Sequence, residues 1–170
     1  MQNHTDWQLI AVDDHSRDGS KVIIESFQDS RIYVIQNEGN GILQALQTAQ
    51  KYIKGDYVTR MDADDIMPLH KLKTLLEVIS AKKEGVIATG TVKYFGEQEI
   101  SEGYQSYEAW LNKTADQQAF YKRIYRECVV ASPNWMIRKE DFDDMKGFSK
   151  LTYPEDYDMV FHWRKAGFMI

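Results

Sequence analysis

The chain lacks the features that would tie it to an oxidising compartment, a membrane interior or a nucleic acid. One cysteine stands among 170 residues, so no internal disulfide can form and the fold does not depend on oxidation. Cys128 reads as a small buried apolar residue. No apolar run approaches the roughly 18 residues of a membrane span. The first residues also lack the basic-then-apolar pattern of a signal peptide. The expected location is therefore cytoplasmic, or peripheral at the inner face of the membrane. No stripe of Lys and Arg of the kind that follows a phosphate backbone is present, so nucleic acid is not an expected partner. Internal repeats, low-complexity tracts and linkers are missing too.

What is present is an ordinary globular balance, 43% hydrophobic and 28% charged, in a chain long enough to bury a core. Acidic residues outnumber basic ones, 26 to 21, for a net charge of -5. The surplus is gathered at Asp13-Asp14, Asp62 to Asp65 and Glu155 to Asp158. Carboxylates placed that closely repel one another unless a cation lies between them, which points to a metal.

Periodicity gives strands alternating with helices. Trp7 to Val12 reads as a buried strand ending on two aspartates. Gly19 to Gln28 reads as a helix with Ile23 and Phe27 on one face and Ser16 or Asp18 able to cap it. Arg31 to Ile35 is a short strand. Ile42, Ala45, Leu46, Ala49 and Ile53 fall at helical spacing between Gly41 and Lys54. Tyr57 to Met61 is a strand running into Asp62-Ala63-Asp64-Asp65. Pro68 is expected to begin a helix with Leu69, Leu72, Leu75, Leu76 and Ile79 inward. Val86 to Tyr94 reads as a strand, Glu97 to Ser106 as a loop, Tyr107 to Arg126 as mainly helical, Trp135 to Ile137 as a strand and Asp156 to Lys165 as a closing helix. The expected fold is α/β, three layers (α/β/α) around a mostly parallel central sheet, with residues 1–170 forming one domain.

In an open α/β sheet, ligands bind past the carboxyl ends of strands, where Asp13-Asp14 and Asp62 to Asp65 both lie. In extended chain, alternate side chains point one way. Asp62 and Asp64, two apart, are thus expected to face one cation. Hard oxygen ligands favour Mg²⁺ or Mn²⁺. By themselves Asp13, Asp14 and Asp18 read first as helix caps, and Glu155 and Asp156 equally as first-turn acids complementing a helix dipole. His15 reads as an exposed loop residue without a partner. Trp110, Trp135, Trp163 and the tyrosines read as core, with Tyr104 and Tyr107 the ones to test for acceptor contact.

Three motifs in order decide between these readings. They are Val12-Asp13-Asp14-His15-Ser16 followed by Asp18-Gly19, then Gly55 to Asp65 behind Asn40-Gly41, then Glu155-Asp156-Tyr157-Asp158. Together they resemble glycosyltransferase family 2, over nearly the whole chain from Trp7 to Gly167. The resemblance implies the GT-A fold and a metal-dependent, inverting transfer of sugar to an acceptor hydroxyl, in cell-surface glycan synthesis. The donor it implies is a nucleoside-diphosphate sugar, with a bias to UDP.

It also assigns roles residue by residue. Asp14 receives the nucleobase, with Asp13, Ser16, Asn40 and Gly41 beside the donor. Asp64 is the firmer ligand of Mn²⁺ or Mg²⁺, with Asp62 near the ribose or the ion. Asp156 is the base for a glycan or lipid-linked acceptor.

The sequence departs from the family in three places. The usual first strand and helix ahead of Val12-Asp13-Asp14 are absent. That implies truncation at the N-terminus, leaves the C-terminus open, and exposes an unpaired sheet edge through which the chain could self-associate. Leu46 stands near a usual arginine. No Gln-x-x-Arg-Trp follows, which disfavours a processive synthase.

Two alternatives stand beside this reading. In a receiver-type signalling domain, Asp13-Asp14 would form the acidic pocket and Asp62 the phosphoacceptor. In a non-catalytic relic, nucleotide would bind without transfer.

Overall fold

A computed structural model describes residues 2–149 and 151–170. The elements in chain order are β1 (Leu9–Asp13), α1 (Ser20–Glu25), β2 (Ile32–Gln36), α2 (Ile42–Gln50), β3 (Tyr57–Thr59), α3 (Lys71–Ser80), β4 (Ala88–Thr89), α4 (Glu102–Asp116), α5 (Phe120–Arg123), β5 (Trp135–Arg138), α6 (Lys139–Asp144) and α7 (Glu155–Ala166).

The strands form two groups. β1 and β2 pair in parallel, Leu9 opposite Ile32 through Asp13 opposite Gln36. β5 lies between β3 and β4 and runs antiparallel to both. The expected parallel pairing is thus carried by β1 and β2. Among the described residues β1 pairs only with β2, and β3 only with β5, so each has a free edge.

The core belongs to the antiparallel group. Trp135 and Ile137 of β5 pack with Phe142 of α6, Met159, Val160 and Trp163 of α7, Ile124 and Val129. Trp135 meets Trp163 edge-on with ring centroids 5.7 Å apart. Cys128 is buried here, as expected. Trp110 packs partly buried against the same cluster. A smaller cluster joins Leu75 and Ile79 of α3 to Ala88 and Met136.

The β1–α1–β2 region lies outside this core, and several expectations fail there. Although Leu9 to Val12 is a continuous apolar run, none of it is fully buried, because no strand covers the far edge of β1. α1 buries no residue, leaving Ile23 61% and Phe27 67% exposed. Neither Ser16 nor Asp18 caps it; the N-cap is Gly19, without a side-chain bond. Asp18 instead accepts from Ser20 N–H at 2.9 Å.

Other boundaries also move. α3 begins at Lys71 rather than Pro68, so Leu69 precedes the helix and is 62% exposed. α4 starts inside the expected loop, where Ser101 Oγ accepts from Tyr104 N–H. The expected Val86 to Tyr94 strand reduces to Ala88–Thr89.

α7, which carries the third motif, is well terminated. Glu155, Asp156 and Asp158 fill its first turn, and Arg164 and Lys165 its last, each sign placed where the helix dipole favours it. Gly167 takes the left-handed C-cap conformation, and Phe168 N–H donates to Trp163 O at 3.0 Å, a Schellman-type closure.

Candidate active site

The first acidic group is built by the loops after β1 and β2. Asp14 accepts from Asn37 Nδ2 at 2.7 Å and from Gly41 N–H at 2.9 Å. Gly41 holds φ 81° as the N-cap of α2, a left-handed backbone that glycine adopts without strain. Asn37 is buried, and its Oδ1 accepts from Thr48 Oγ1 at 3.2 Å. Asp14 therefore caps no helix. It pins the Asn37–Gly41 loop and keeps an exposed outer side with lone pairs to spare.

Asp13 accepts from Ser16 N–H at 3.2 Å, and the Ser16 hydroxyl, with that N–H adding to it, holds its carboxyl below the usual range. Asn40 and Ser16 are exposed beside these groups. His15 is exposed but not partnerless: Nε2 donates to Gly39 O at 2.8 Å while Nδ1 accepts from Gln36 Nε2 at 3.2 Å. A carbonyl cannot donate and an amide nitrogen cannot accept, so this ring carries its proton on Nε2. Leu46 packs against the core, so the apolar residue at the arginine-like position has an apolar role.

The second group is the Asp62–Asp65 segment. β3 ends at Thr59, and Asp65 N–H donates to Asp62 O at 3.2 Å. The chain therefore turns through Ala63-Asp64 instead of leaving extended. Strand alternation is not what relates Asp62 to Asp64; the turn is. Burial, then the charges of Asp62 and Asp64, raise the Asp65 carboxyl above its ordinary value. Burial lowers the Lys71 ammonium, against the pull of Asp65 and Asp62.

Among the described residues no three carboxylate, thiolate or imidazole groups converge as a ready metal cage. The donor set still fits Mg²⁺ or Mn²⁺. Such an ion is commonly held by one or two carboxylates plus substrate phosphates, and the mutual repulsion at this turn is what a cation relieves.

Arg60 joins this turn to α7. Its Nε donates to Asp62 Oδ1 at 2.8 Å and its Nη1 to Glu155 Oε1 at 3.0 Å. Arg60 and Glu155 side chains are only 10% and 7% exposed. Sequence reading gave Arg60 no role, since a lone arginine in a strand-like stretch has no local signature. The next residue on α7, Asp156, accepts from Ser132 Oγ at 3.2 Å and from Tyr157 N–H at 2.7 Å. It lines a cavity of about 330 Å³ with Tyr107, Glu127, Cys128, Pro154 and Tyr157. Burial, then the charge of Asp156, push the Cys128 thiol up to about 12, which excludes it as a nucleophile at neutral pH.

Tyr107 thus reaches the Asp156 cavity, while its hydroxyl donates to Cys128 O at 2.9 Å. Tyr104 is exposed and reaches Tyr94, ring centroids 5.5 Å apart. Asp14 and Gly41 are joined directly, with Asp13, Ser16 and Asn40 next to them in the chain; Asp62 is linked through Arg60 to Glu155, the residue before Asp156. No hydrogen bond or ion pair joins the two groups among the described residues.

Comparison with known proteins gives the family and the fold. The profile described as "Glycosyl transferase family 2" matches residues 1–146. The fold resembles that of S. aureus TarS 1–349, with a TM-score of 0.69 and 19% identity, covering 95% of this chain and 48% of that one. The chain belongs to glycosyl transferase family 2 and has its α/β GT-A fold, which overturns the receiver-domain alternative.

Among curated relatives, the Escherichia coli UDP-Glc:alpha-D-GlcNAc-diphosphoundecaprenol beta-1,3-glucosyltransferase WfgD is 28% identical over 136 residues, 76% of this chain and 47% of that protein. The putative teichuronic acid biosynthesis glycosyltransferase TuaG of Bacillus subtilis is 35% identical over 92 residues, 52% of this chain and 36% of that protein. The chain spans about half or less of the length of these relatives. No helix among the described residues is long and apolar enough to cross a membrane.

Proposed function

We propose that residues 1–170 are the catalytic domain, or part of it, of a metal-dependent inverting glycosyltransferase. It moves sugar from a nucleoside-diphosphate donor, UDP-linked, to a hydroxyl of a glycan or lipid-linked acceptor in cell-surface glycan synthesis. One observation carries this reading. The acidic turn at Asp62 to Asp65 is fastened to the helix that bears Asp156, through Arg60 and Glu155. Donor countercharge and acceptor base are thereby held as one unit. The separate group around Asp14 suits the far end of the same ligand, since a nucleoside diphosphate has its base and its diphosphate at opposite ends. The relative WfgD carries UDP-Glc in its name, which supports the choice of UDP.

In this reading the outer lone pairs of Asp14 accept from a nucleobase ring N–H. Asp64, with Asp62 beside it, holds Mn²⁺ or Mg²⁺, and a cation there supplies charge to the diphosphate oxygens. Asp156 accepts the proton of the acceptor hydroxyl as that oxygen bonds to the anomeric carbon. The bond to the diphosphate breaks on the opposite face, its electron pair leaves with the diphosphate, and the centre inverts. The cavity beside Asp156 has Tyr107 and Tyr157 in its lining, aromatic rings of a kind that suit a sugar.

The free β1 edge is a further proposal, as a site of self-association, with a peripheral position at the inner membrane face beside the lipid-linked acceptor. Sedimentation across a concentration series tests the first of these.

The test of the activity is release of nucleoside diphosphate from a panel of UDP-sugars by the full-length protein, with Mn²⁺ and lipid-linked saccharide acceptors. Sugar-dependent release that requires acceptor is expected. Metal-dependent nucleotide binding without any release would instead support the non-catalytic alternative.

A further inference from the structure

Arg60 stands between two carboxylates that belong to different motifs. One fork nitrogen binds Asp62, on the acidic turn, and another binds Glu155, at the start of α7. Glu155 alone would balance its charge. The second bond means that the acidic turn has a resident cation of its own. Asp62 Oδ1 accepts from it, and the Asp62 side chain stays 31% exposed. Lys71 is the other cation facing the cluster, but it is more distant in effect: its ammonium donates to Pro133 O, and it acts on Asp65 and Asp62 only through their charge. The fork of an arginine can hold two carboxylates in fixed relative positions, and a lysine cannot.

We infer that Arg60 is a positioning residue that also weakens the site's grip on a free divalent cation, so that metal is bound well only in company with a diphosphate. The inference rests on the transferase reading above. A positive charge in hydrogen-bond contact with Asp62 opposes a second cation on the same carboxylate. A diphosphate brings the negative charge that offsets this opposition. Metal and nucleotide are therefore coupled: each raises the affinity for the other, and the metal leaves readily once the diphosphate does. Held by Arg60, the turn also keeps its place against α7 while no metal is present.

The test is a titration of the chain with Mn²⁺ alone, free ion being read by electron paramagnetic resonance, then again with UDP. Arg60→Met removes the charge and retains an apolar stem. Because it leaves Glu155 buried without a partner, which can prevent folding, Arg60→Met/Glu155→Gln is measured beside it. Arg60→Lys keeps the charge. Without UDP, Arg60→Met is expected to bind Mn²⁺ about tenfold more tightly than the parent or better, from the removed repulsion, and the double variant, which also loses the Glu155 charge, more tightly than the parent by a smaller factor. Arg60→Lys is expected to stay within about threefold of the parent. The enhancement of Mn²⁺ affinity by UDP is expected to be largest in the parent.

Equal or weaker Mn²⁺ binding by the Met variants overturns the inference, since a merely structural arginine predicts that outcome. So does an Arg60→Lys variant that behaves like Arg60→Met, or no Mn²⁺ binding by any of the proteins. The transferase reading fails separately, when neither parent nor variants bind UDP with or without Mn²⁺ and the full-length protein releases none.

Discussion

Gly41 N–H reaches Asp14 Oδ2 at 2.9 Å across 27 residues of chain, and Asn37 Nδ2 holds the other oxygen of the same carboxylate at 2.7 Å. The residue proposed to read the nucleobase is thus also the latch of the loop before α2.

Asp14→Ala should therefore have two effects. The melt should come earlier by about 1–3 kcal/mol, because the buried amide of Asn37 loses a charged acceptor. Nucleotide affinity should fall about three- to tenfold, the net worth of one hydrogen bond. Thermal melts and a UDP titration separate the two. An earlier melt with unchanged affinity would assign Asp14 to the loop alone.

Asp156→Asn should retain donor binding and lose turnover. An amide keeps the shape and can still bond to Ser132 or to Tyr157 N–H, but it takes up no proton at neutral pH. The expected loss in kcat is about 10²–10⁴-fold, measured with saturating donor. A variant that transfers sugar at the parent rate would remove Asp156 from the mechanism.

The motifs were legible because each is a short contiguous string: Asp13-Asp14, Asp62 to Asp65, Glu155-Asp156. Strand and helix order was legible for the same reason, since apolar spacing is local. Four kinds of fact were not. Arg60 gains its meaning from Glu155, 95 residues on, and no window contains both. The relation of Asp62 to Asp64 was read from strand alternation, but the strand ends at Thr59 and a turn intervenes. α6 was missed because Lys139–Asp144 is mostly charged, yet it buries Phe142 and Asp141, the latter accepting from Gly85 N–H at 3.0 Å. Exposure of Ile23 and Phe27 was equally hidden, for it depends on what covers α1 rather than on α1 itself.

Gly147 offers a sharp test of the core. It holds φ 51°, and a Cβ there would lie 2.5 Å from Phe142 and 2.6 Å from Gln50 Oε1. Gly147→Ala combines backbone strain with overpacking, and should destabilise by about 2–4 kcal/mol. Urea unfolding checks it; a change under half a kilocalorie would mean the Phe148 turn yields freely.

The Cys128 thiol gives a pH prediction. Its folded pKa, about 12, lies above the unfolded value, so between roughly pH 9 and 12 the folded state binds more protons. Stability from this group is present below that window and is lost as pH rises through it. Cys128→Ala should flatten the alkaline fall in stability that the parent shows in urea melts above pH 9. Iodoacetamide at pH 8 should label Cys128 only after unfolding. Rapid labelling of the native protein would contradict its burial.

The central claim, a nucleotide site that depends on a divalent cation at the acidic turn, is tested most directly by calorimetric titration of the chain with UDP, with and without Mn²⁺, in parent and Asp64→Ala. Binding is predicted only with Mn²⁺, and the variant should lose it. Removing a ligand oxygen leaves the diphosphate facing Asp62 and Asp65 with too little countercharge. Equal UDP binding by parent and Asp64→Ala, or binding indifferent to Mn²⁺, would contradict the account.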